Sequence, residues 1–269
     1  MTDYSKYKKA DAQPEASSMI ETFRAIGYSV EAAIADLIDN SITARAKNIW
    51  VDYDWNGEAT TISIIDDGIG MSNSELINAM RPGSKNPLDI REKKDLGRFG
   101  MGLKTASFSQ CKKFSVISKT KSAEISWWCW DLDYVKEAKS WSLVNYYPNE
   151  SFLDRIKQLE SGTSVIWWDI DRLTNGTIAE SIESMDKFMK SMDIVKKHFS
   201  MVFHRFIREG LKIFFKGREI EPWDPFMIGA KGLQLEPDFY LDNRKIKIKG
   251  FILPHRSNRY GVSSPPLAA

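Results

Sequence analysis

The chain has 269 residues, of which 42% are hydrophobic and 28% charged, enough apolar material for one large buried core or two moderate ones. A net charge of +2 is too small to argue by itself for a nucleic-acid-binding surface. The two cysteines lack disulfide-framework or metal-site spacing, which favours a reducing compartment. The polar N-terminus has no signal-peptide pattern, and no apolar run reaches the ~18–20 residues of a membrane span. These exclusions predict a cytoplasmic protein that does not enter membranes.

A polar arm over residues 1–16 is expected to precede two helices. The sequence SSMIETFRAIG, from Ser17, has helical apolar spacing and ends at Gly27. Ser29 then precedes VEAAIADLIDNSITARA, a second predicted helix. Its apolar positions recur at helical spacing: Ala33, Ile34, Leu37, Ile38 and Ile42.

Strand patterns dominate the rest of the first 170 residues. NIWVDYDW and TTISIIDDG alternate and predict a hairpin. Residues 72–96 are polar apart from a short helix, NSELINAM, and loops of this length are often functional lids. A helix follows at GMGLKTASFSQC, then strands at KKFSVISKT, SAEISWWCWDL and TSVIWWDI.

After these strands, the pattern predicts a long helix over 179–208 and further strands in LKIFFKGREIEPWDPF and RKIKIKGFIL, assigned to a second unit. Antiparallel pairs beside helices predict an α+β two-layer sandwich, with a mixed, mostly antiparallel sheet and helices on one face.

Acidic side chains crowd one turn of the second helix. Asp36 and Asn40 are four residues apart and therefore share a helix face, with Asp39 beside them. An amide oxygen suits a hard cation such as Mg²⁺, and a carboxylate one turn away can accept a proton from water. The same spacing also fits a solvated polar stripe.

The run DDGIG ends the second predicted strand. Asp66 there can accept a hydrogen bond from an exocyclic amine such as that of adenine, whereas a guanine carbonyl would face it as a second acceptor. Gly68 and Gly70 allow close approach of the backbone to a ligand. A tight turn after a strand remains an alternative.

A glycine cluster, GRFGMGLKTAS, precedes the next helix. Gly97, Gly100 and Gly102 place free N–H groups at a helix N-terminus, which favours phosphate, and Lys104 can add a positive charge. The spacing differs from a P-loop, and a glycine hinge is the alternative. Farther along, Thr163 opens a strand and can donate its hydroxyl to a base nitrogen, a weak signal on its own.

Together, these four motifs resemble the GHKL (gyrase, heat-shock chaperone, histidine kinase, MutL) ATPase superfamily, in particular MORC-type and related prokaryotic ATPases. DLIDNSITA is similar to the N-box, DDGIGM to the adenine box, GRFGMGLK to the lid glycine box and GTSV to the fourth motif. The likeness covers residues 17–170 and weakens beyond them.

The resemblance implies a Bergerat-fold site for ATP and Mg²⁺. It makes Asp36 the catalytic base, Asn40 the metal ligand and Asp66 the partner of the adenine amine. Residues 80–100 become the ATP lid. The remaining nucleotide-binding residues that it implies are Gly68, Gly70, Met71, Gly97, Arg98, Phe99, Gly100, Met101, Gly102, Lys104 and Thr163, with Lys104 also at the terminal phosphate.

Two departures from the family pattern affect the expected activity. Hydrolysing relatives usually carry Glu where this chain has Asp36, and the shorter side chain predicts slow hydrolysis. The chain divides by resemblance into the arm, an ATP-binding domain over 17–175, and a linker helix with a partial transducer-like domain over 176–269. Family transducers run longer, which leaves open a short variant or a piece of a longer protein.

The predicted function is ATP binding and slow hydrolysis, with lid closure and ATP-dependent homodimerisation as a switch. The alternative is a nucleotide-gated interaction module in a DNA-handling or defence system, with little hydrolysis. A basic stretch over 196–218 leaves a DNA or protein client open. A histidine-kinase-type phosphotransferase is disfavoured, because the first histidine, His198, follows every motif.

Overall fold

The computed structural model describes residues 14–25, 27–84, 102–174 and 176–226, parts of 3–12, and short segments at 234–235, 239–241, 246–248 and 250–252. The chain forms two compact units, Met1–Glu221 and Pro222–Ala269. The predicted residues Gly97, Arg98, Phe99, Gly100 and Met101, and most of the predicted lid, lie outside the described residues.

A seven-stranded sheet organises the first unit. Its strands are β1 (Asn48–Asp54), β2 (Thr61–Asp66), β3 (Lys113–Lys119), β4 (Ser126–Asp131), β5 (Gly162–Trp168), β6 (Lys212–Phe215) and β7 (Arg218–Glu219). They lie in the order β4-β3-β5-β2-β1-β6-β7. Every neighbouring pair is antiparallel except β1 and β6, so the sheet is mixed and mostly antiparallel, as predicted.

Among the described residues, two helices precede this sheet, and seven lie in the connections between its strands. They are α1 (Ala16–Arg24), α2 (Val30–Thr43), α3 (Asn73–Met80), α4 (Gly102–Gln110), α5 (Leu132–Ala138), α6 (Glu150–Gln158), α7 (Asp171–Thr174), α8 (Ile182–Val202) and α9 (His204–Arg208). Ser29 caps α2 as expected, accepting the Ala32 N–H. The long helix predicted over 179–208 is divided at Phe203, a buried residue whose ψ of 9° interrupts the helical backbone.

Both faces of the sheet are covered, because apolar residues alternate along its central strands. On β2, Ile62 and Ile64 join the large core beneath α1, α2, α4 and α8, while Ile65 points to the opposite face. There, Leu153 and Ile156 of α6 pack onto a smaller apolar cluster. The α+β class is confirmed, with α6 as an addition on the second face.

The segment containing β6 was predicted to belong to a second unit, but it lies in the first sheet. Residues Lys212–Phe215 pair in parallel with Asn48–Val51 and extend the first sheet beyond β1. Ile213 and Phe215 are buried, so the pairing covers apolar surface that would otherwise lie at the sheet edge.

The second unit contains β8 (Gln234–Leu235), β9 (Phe239–Leu241), β10 (Ile246–Ile248) and β11 (Phe251–Ile252). Strands β9 and β10 form one antiparallel pair, and β8 and β11 another. The strands expected in RKIKIKGFIL are therefore present. The transducer-like assignment of 176–269 stays a prediction. Within the described part of the chain, no helix has the length and apolar character needed to span a membrane.

Candidate functional site

Asp66 ends β2 as a buried carboxylate that is held by hydrogen bonds. Its side chain accepts the Ser41 hydroxyl (2.8 Å) and the Gly68 N–H (2.9 Å), and the residue is only 5% exposed. Burial raises the pKa of this carboxyl to about 6, although both hydrogen bonds act in the opposite direction. A carboxylate has room for further donors, so Asp66 can still accept one from a ligand.

The neighbouring acid has a different role. Asp67 accepts the backbone N–H groups of Lys47 (2.7 Å) and Asn48 (2.8 Å), and the Asn48 side-chain amide as well (2.6 Å). These contacts tie the end of β2 to the start of β1. Of the two adjacent carboxylates in DDG, Asp66 is therefore the candidate for ligand binding and Asp67 is structural.

Thr163 lies opposite Asp66 in the pairing of β2 with β5. Its hydroxyl is 2.9 Å from that of Ser118, which in turn accepts the Met71 N–H at 2.9 Å. The structure thus brings together three predicted site residues, Asp66, Met71 and Thr163. Sequence reasoning missed Ser118 and Ser41, since a serine in a strand or helix carries no local signal of a partner 25 or 45 residues away.

The glycines of this region are required by the protein's own backbone. A Cβ on Gly70, where φ is +68°, would lie 1.9 Å from the Lys119 carbonyl oxygen. A Cβ on Gly68 would lie 2.8 Å from both the Ala44 carbonyl and Asp66 Oδ1. Side chains at either position would separate the loop after β2 from α2 or β3. The predicted position of these glycines beneath an adenine base stays a prediction.

Gly70→Ala is expected to destabilise the fold far more than Gly83→Ala. Both glycines have almost the same positive φ, +68° and +69°, but a Cβ on Gly83 would meet nothing within 4 Å. Gly83→Ala should therefore cost only the left-handed backbone strain, about 1–2 kcal/mol. Gly70→Ala should cost about 2–3 kcal/mol more, because the Lys119 backbone must move. Urea denaturation of the two variants measures the difference, and equal losses would contradict the packing argument.

A second group of polar residues lies nearer the N-terminus of α2. Asp36 is half-buried. Burial raises the pKa of Asp36, and burial followed by the charge of Asp36 raises the pKa of Asp39 to about 6. Asn40, one turn beyond Asp36, is exposed. Two crowded carboxylates beside an accessible amide oxygen fit a hydrated divalent cation, which would offset their repulsion.

The glycine-rich motif meets this acidic end through α4. The helix begins at Gly102, and a Cβ there would lie 3.7 Å from Asp36 Oδ2. The opposite end of α4 is held by Arg24, which donates to the carbonyls of Phe108 (2.9 Å) and Cys111 (2.8 Å). The first N–H groups of α4, which favour anions, therefore lie beside Asp36.

Lys104 is placed differently from the sequence expectation. The residue is 1% exposed, and its ammonium donates to the Ala79 carbonyl (2.8 Å) near the end of α3. In this arrangement, Lys104 holds α4 against α3, because α4 turns that side chain inward. Its contact with a terminal phosphate stays a prediction.

Two of the three histidines, His198 and His204, lie in the described part of the chain and belong to helices. His204 is buried, with its Nδ1 2.6 Å from the Met201 carbonyl oxygen, and His198 is partly buried on α8. Burial lowers the pKa of His198. Neither position resembles an exposed phosphoacceptor.

Comparisons with known proteins agree with this geometry. A family model described as "Histidine kinase-, DNA gyrase B-, and HSP90-like ATPase" matches residues 28–163. This stretch contains α2, Asp66, Thr163 and the whole of α4. The fold and the site define a GHKL-type ATPase domain with a Bergerat fold. The chain belongs to this ATPase family, with a MORC- and MutL-like character.

The similar curated proteins are much longer than the matched region. ATPase morc-1 of Caenorhabditis elegans is 32% identical over 89 residues, covering 33% of this chain and 10% of that protein. The DNA mismatch repair protein MutL of Dictyoglomus turgidum is 36% identical over 97 residues, covering 35% of this chain and 16% of that protein. MutL of Clostridium acetobutylicum is 31% identical over 114 residues, covering 39% of this chain and 18% of that protein. The matches thus span less than a fifth of each relative.

Proposed function

We propose that this chain binds ATP together with Mg²⁺ and hydrolyses the nucleotide slowly. The observation that supports the proposal best is that helix α2 contacts both Asp66 and the start of α4. Ser41 on this helix holds the buried carboxylate of Asp66, and Asp36, five residues earlier, lies beside the first residue of α4. Five residues correspond to about 7.5 Å along a helix axis. One helix therefore links a candidate base-recognition group to a candidate phosphate end.

Asp66 supplies the proposed nucleotide selectivity. Its carboxylate accepts the exocyclic amine of adenine. Thr163, which lies opposite Asp66 in the pairing of β2 with β5, is joined to Met71 through the Ser118 hydroxyl. Guanine would present a carbonyl oxygen at that position and repel the carboxylate. The site should therefore prefer ATP to GTP by the value of one charge-assisted hydrogen bond, about 1.5–3 kcal/mol.

At the other end, Asn40 would hold Mg²⁺ through its amide oxygen, and the ion would neutralise phosphate charge. Asp36 accepts the proton of the attacking water, and its raised pKa makes it a stronger base. The N–H groups at the start of α4 would bind phosphate oxygens. An aspartate reaches one methylene less far than a glutamate, so turnover is expected to be slow.

The wider mechanism of the family extends the proposal. ATP closes the lid over 80–100 and drives homodimerisation, and residues 176–269 transmit the change as a transducer-like part. The similarity to MutL and MORC proteins supports this switch. We further propose a cytoplasmic location. The client is DNA or a protein, of undetermined class. The second candidate, a nucleotide-gated module with little hydrolysis, is favoured by one observation, the presence of Asp36 where the family pattern usually has Glu.

Calorimetry with ATP and GTP, each with Mg²⁺ and with EDTA, tests the proposal beside a phosphate-release assay. We expect Mg²⁺-dependent ATP binding, at least tenfold weaker GTP binding and slow phosphate release. Sedimentation with a non-hydrolysable ATP analogue is expected to show a dimer. ATP binding without phosphate release would select the nucleotide-gated module, and no binding of either nucleotide would overturn both functions.

A further inference from the structure

Three buried polar side chains form a row across the sheet, on the side where α2 contacts Asp66. Asp66 on β2 lies directly opposite Thr163 on β5, and Thr163 lies directly opposite Ser118 on β3. Residues that are directly opposite in antiparallel strands project to the same face of the sheet. Ser118 is therefore the next side chain after Thr163 in the row that begins at Asp66.

The Ser118 hydroxyl has more hydrogen-bonding neighbours than hydrogens. It accepts the Met71 N–H at 2.9 Å, and it lies 3.1 Å from the Gly162 carbonyl oxygen and 2.9 Å from the Thr163 hydroxyl. Its single hydrogen can go to the carbonyl or to Thr163. If it goes to the carbonyl, Thr163 donates to Ser118 and has no hydrogen left for a ligand. If it goes to Thr163, the hydrogen of Thr163 is free for another acceptor.

Adenine requires the second arrangement. The ring nitrogen beside its exocyclic amine, N1, is an acceptor, so the group that binds it must donate. Asp66 is the proposed partner of the amine, and Thr163 beside it can donate to N1 directly or through one water. A donor that itself accepts a hydrogen bond is polarised, and such chains of hydrogen bonds strengthen one another in a buried site. Ser118 can supply that bond to Thr163.

Ser115, on the same strand, shows what a purely structural serine does in β3. Both serines are fully buried, but they are three residues apart and therefore project to opposite faces of the sheet. The Ser115 hydroxyl donates to the Tyr146 carbonyl (3.0 Å) and accepts the Trp168 indole N–H (3.3 Å). Ser118 instead joins residues of the candidate site.

We propose that Ser118 is a positioning residue for adenine recognition. It holds the Thr163 hydroxyl with its hydrogen directed at N1 of the base, and it fixes the Met71 N–H beside it. The proposal rests on the proposed ATP site. Ser118 acts through Thr163 rather than on the nucleotide itself, and none of the four sequence motifs includes it.

Ser118→Ala tests this role with ATP and with 1-deaza-ATP, in which a C–H group replaces N1. We expect the wild type to bind 1-deaza-ATP roughly tenfold more weakly than ATP, the value of one hydrogen bond. Ser118→Ala should bind ATP roughly tenfold more weakly than the wild type and should bind both nucleotides about equally. The reason is that the Thr163 hydroxyl then has no partner among the described residues to hold it toward N1. Calorimetry with Mg²⁺ measures the four dissociation constants.

The matched control is Ser115→Ala, which removes a hydroxyl from an equally buried position of β3. Urea denaturation should show a similar loss of stability for the two alanine variants, whereas Ser115→Ala should keep the preference for ATP over 1-deaza-ATP. Ser118→Cys is a second test that leaves no cavity. A thiol fills the position but is only a weak donor, so this variant should also lose the preference.

Two kinds of failure are distinguishable. An unchanged preference in Ser118→Ala, or in Ser118→Cys should the alanine variant not fold, would overturn the positioning role and leave the ATP site standing. Equal binding of the two nucleotides by the wild type would do the same. Absence of ATP binding by the wild-type chain would instead overturn the proposed function and the role of Ser118 with it.

Discussion

Asp66→Asn is expected to abolish selective ATP binding and, at the same time, to make the folded chain more stable at neutral pH. The asparagine amide has a single acceptor oxygen, and the Gly68 N–H already occupies one acceptor position on Asp66. The amide nitrogen would then face the adenine amine as donor against donor. We expect calorimetry to show ATP affinity lowered about ten- to a hundredfold, to the level of GTP.

The gain in stability follows from the raised pKa of Asp66. The folded chain binds the Asp66 proton more tightly than the unfolded chain, because the pKa is about 6 in the fold and ordinarily 3.8. The resulting contribution to folding stability is fully present below about pH 4. That contribution is lost as pH rises through about 6. The neutral asparagine avoids that loss, and the Ser41 hydroxyl can accept its amide N–H while donating to the Leu37 carbonyl at 3.3 Å. The variant should therefore gain up to about 3 kcal/mol over the wild type at pH 8 and little at pH 4.

Asp67→Asn is the control for this pair of effects. Asp67 accepts three donors from Lys47 and Asn48, and one amide oxygen cannot replace two carboxylate oxygens there. Urea denaturation should show lower stability for this variant, with the preference for ATP over GTP retained. Loss of stability in Asp66→Asn at pH 8 would contradict the buried-charge argument, whatever happens to nucleotide binding.

Asp36→Ala is expected to separate binding from turnover. Asp66, Thr163 and Asn40 are untouched, so calorimetry should show ATP affinity within a few-fold of the wild type. Phosphate release should fall by about 10²–10⁴-fold, the usual contribution of a general base. Asp36→Glu adds the missing methylene and is expected to hydrolyse ATP faster than the wild type.

Asp133→Ala, which removes an exposed acid on α5, is the control for lost negative charge and should keep wild-type turnover. If Asp36→Ala hydrolyses ATP within threefold of the wild type, Asp36 is not the base. If Asp36→Glu is slower than the wild type, the length of the side chain is not what limits turnover.

Local patterns in the sequence were sufficient to predict most of the helices and strands of the first unit. Alternation in NIWVDYDW and TTISIIDDG predicted the β1–β2 hairpin, and Ser29 was recognised as the cap of α2. These signals are local, because a strand or helix that buries one face repeats its apolar residues at a fixed spacing. The place of β6 beside β1 was not predicted, since pairing between strands so far apart in sequence leaves no periodic trace.

What the sequence by itself determined is the chemistry of the site: the order of its four motifs, the acids Asp36 and Asp66, and the glycines that follow Asp66. Tertiary structure alone decided their partners. It placed Ser41 on Asp66, Ser118 on Thr163 and Lys104 on the Ala79 carbonyl. The physical reason is that a residue type specifies which bonds a side chain can make, whereas packing between distant elements decides which of them it makes.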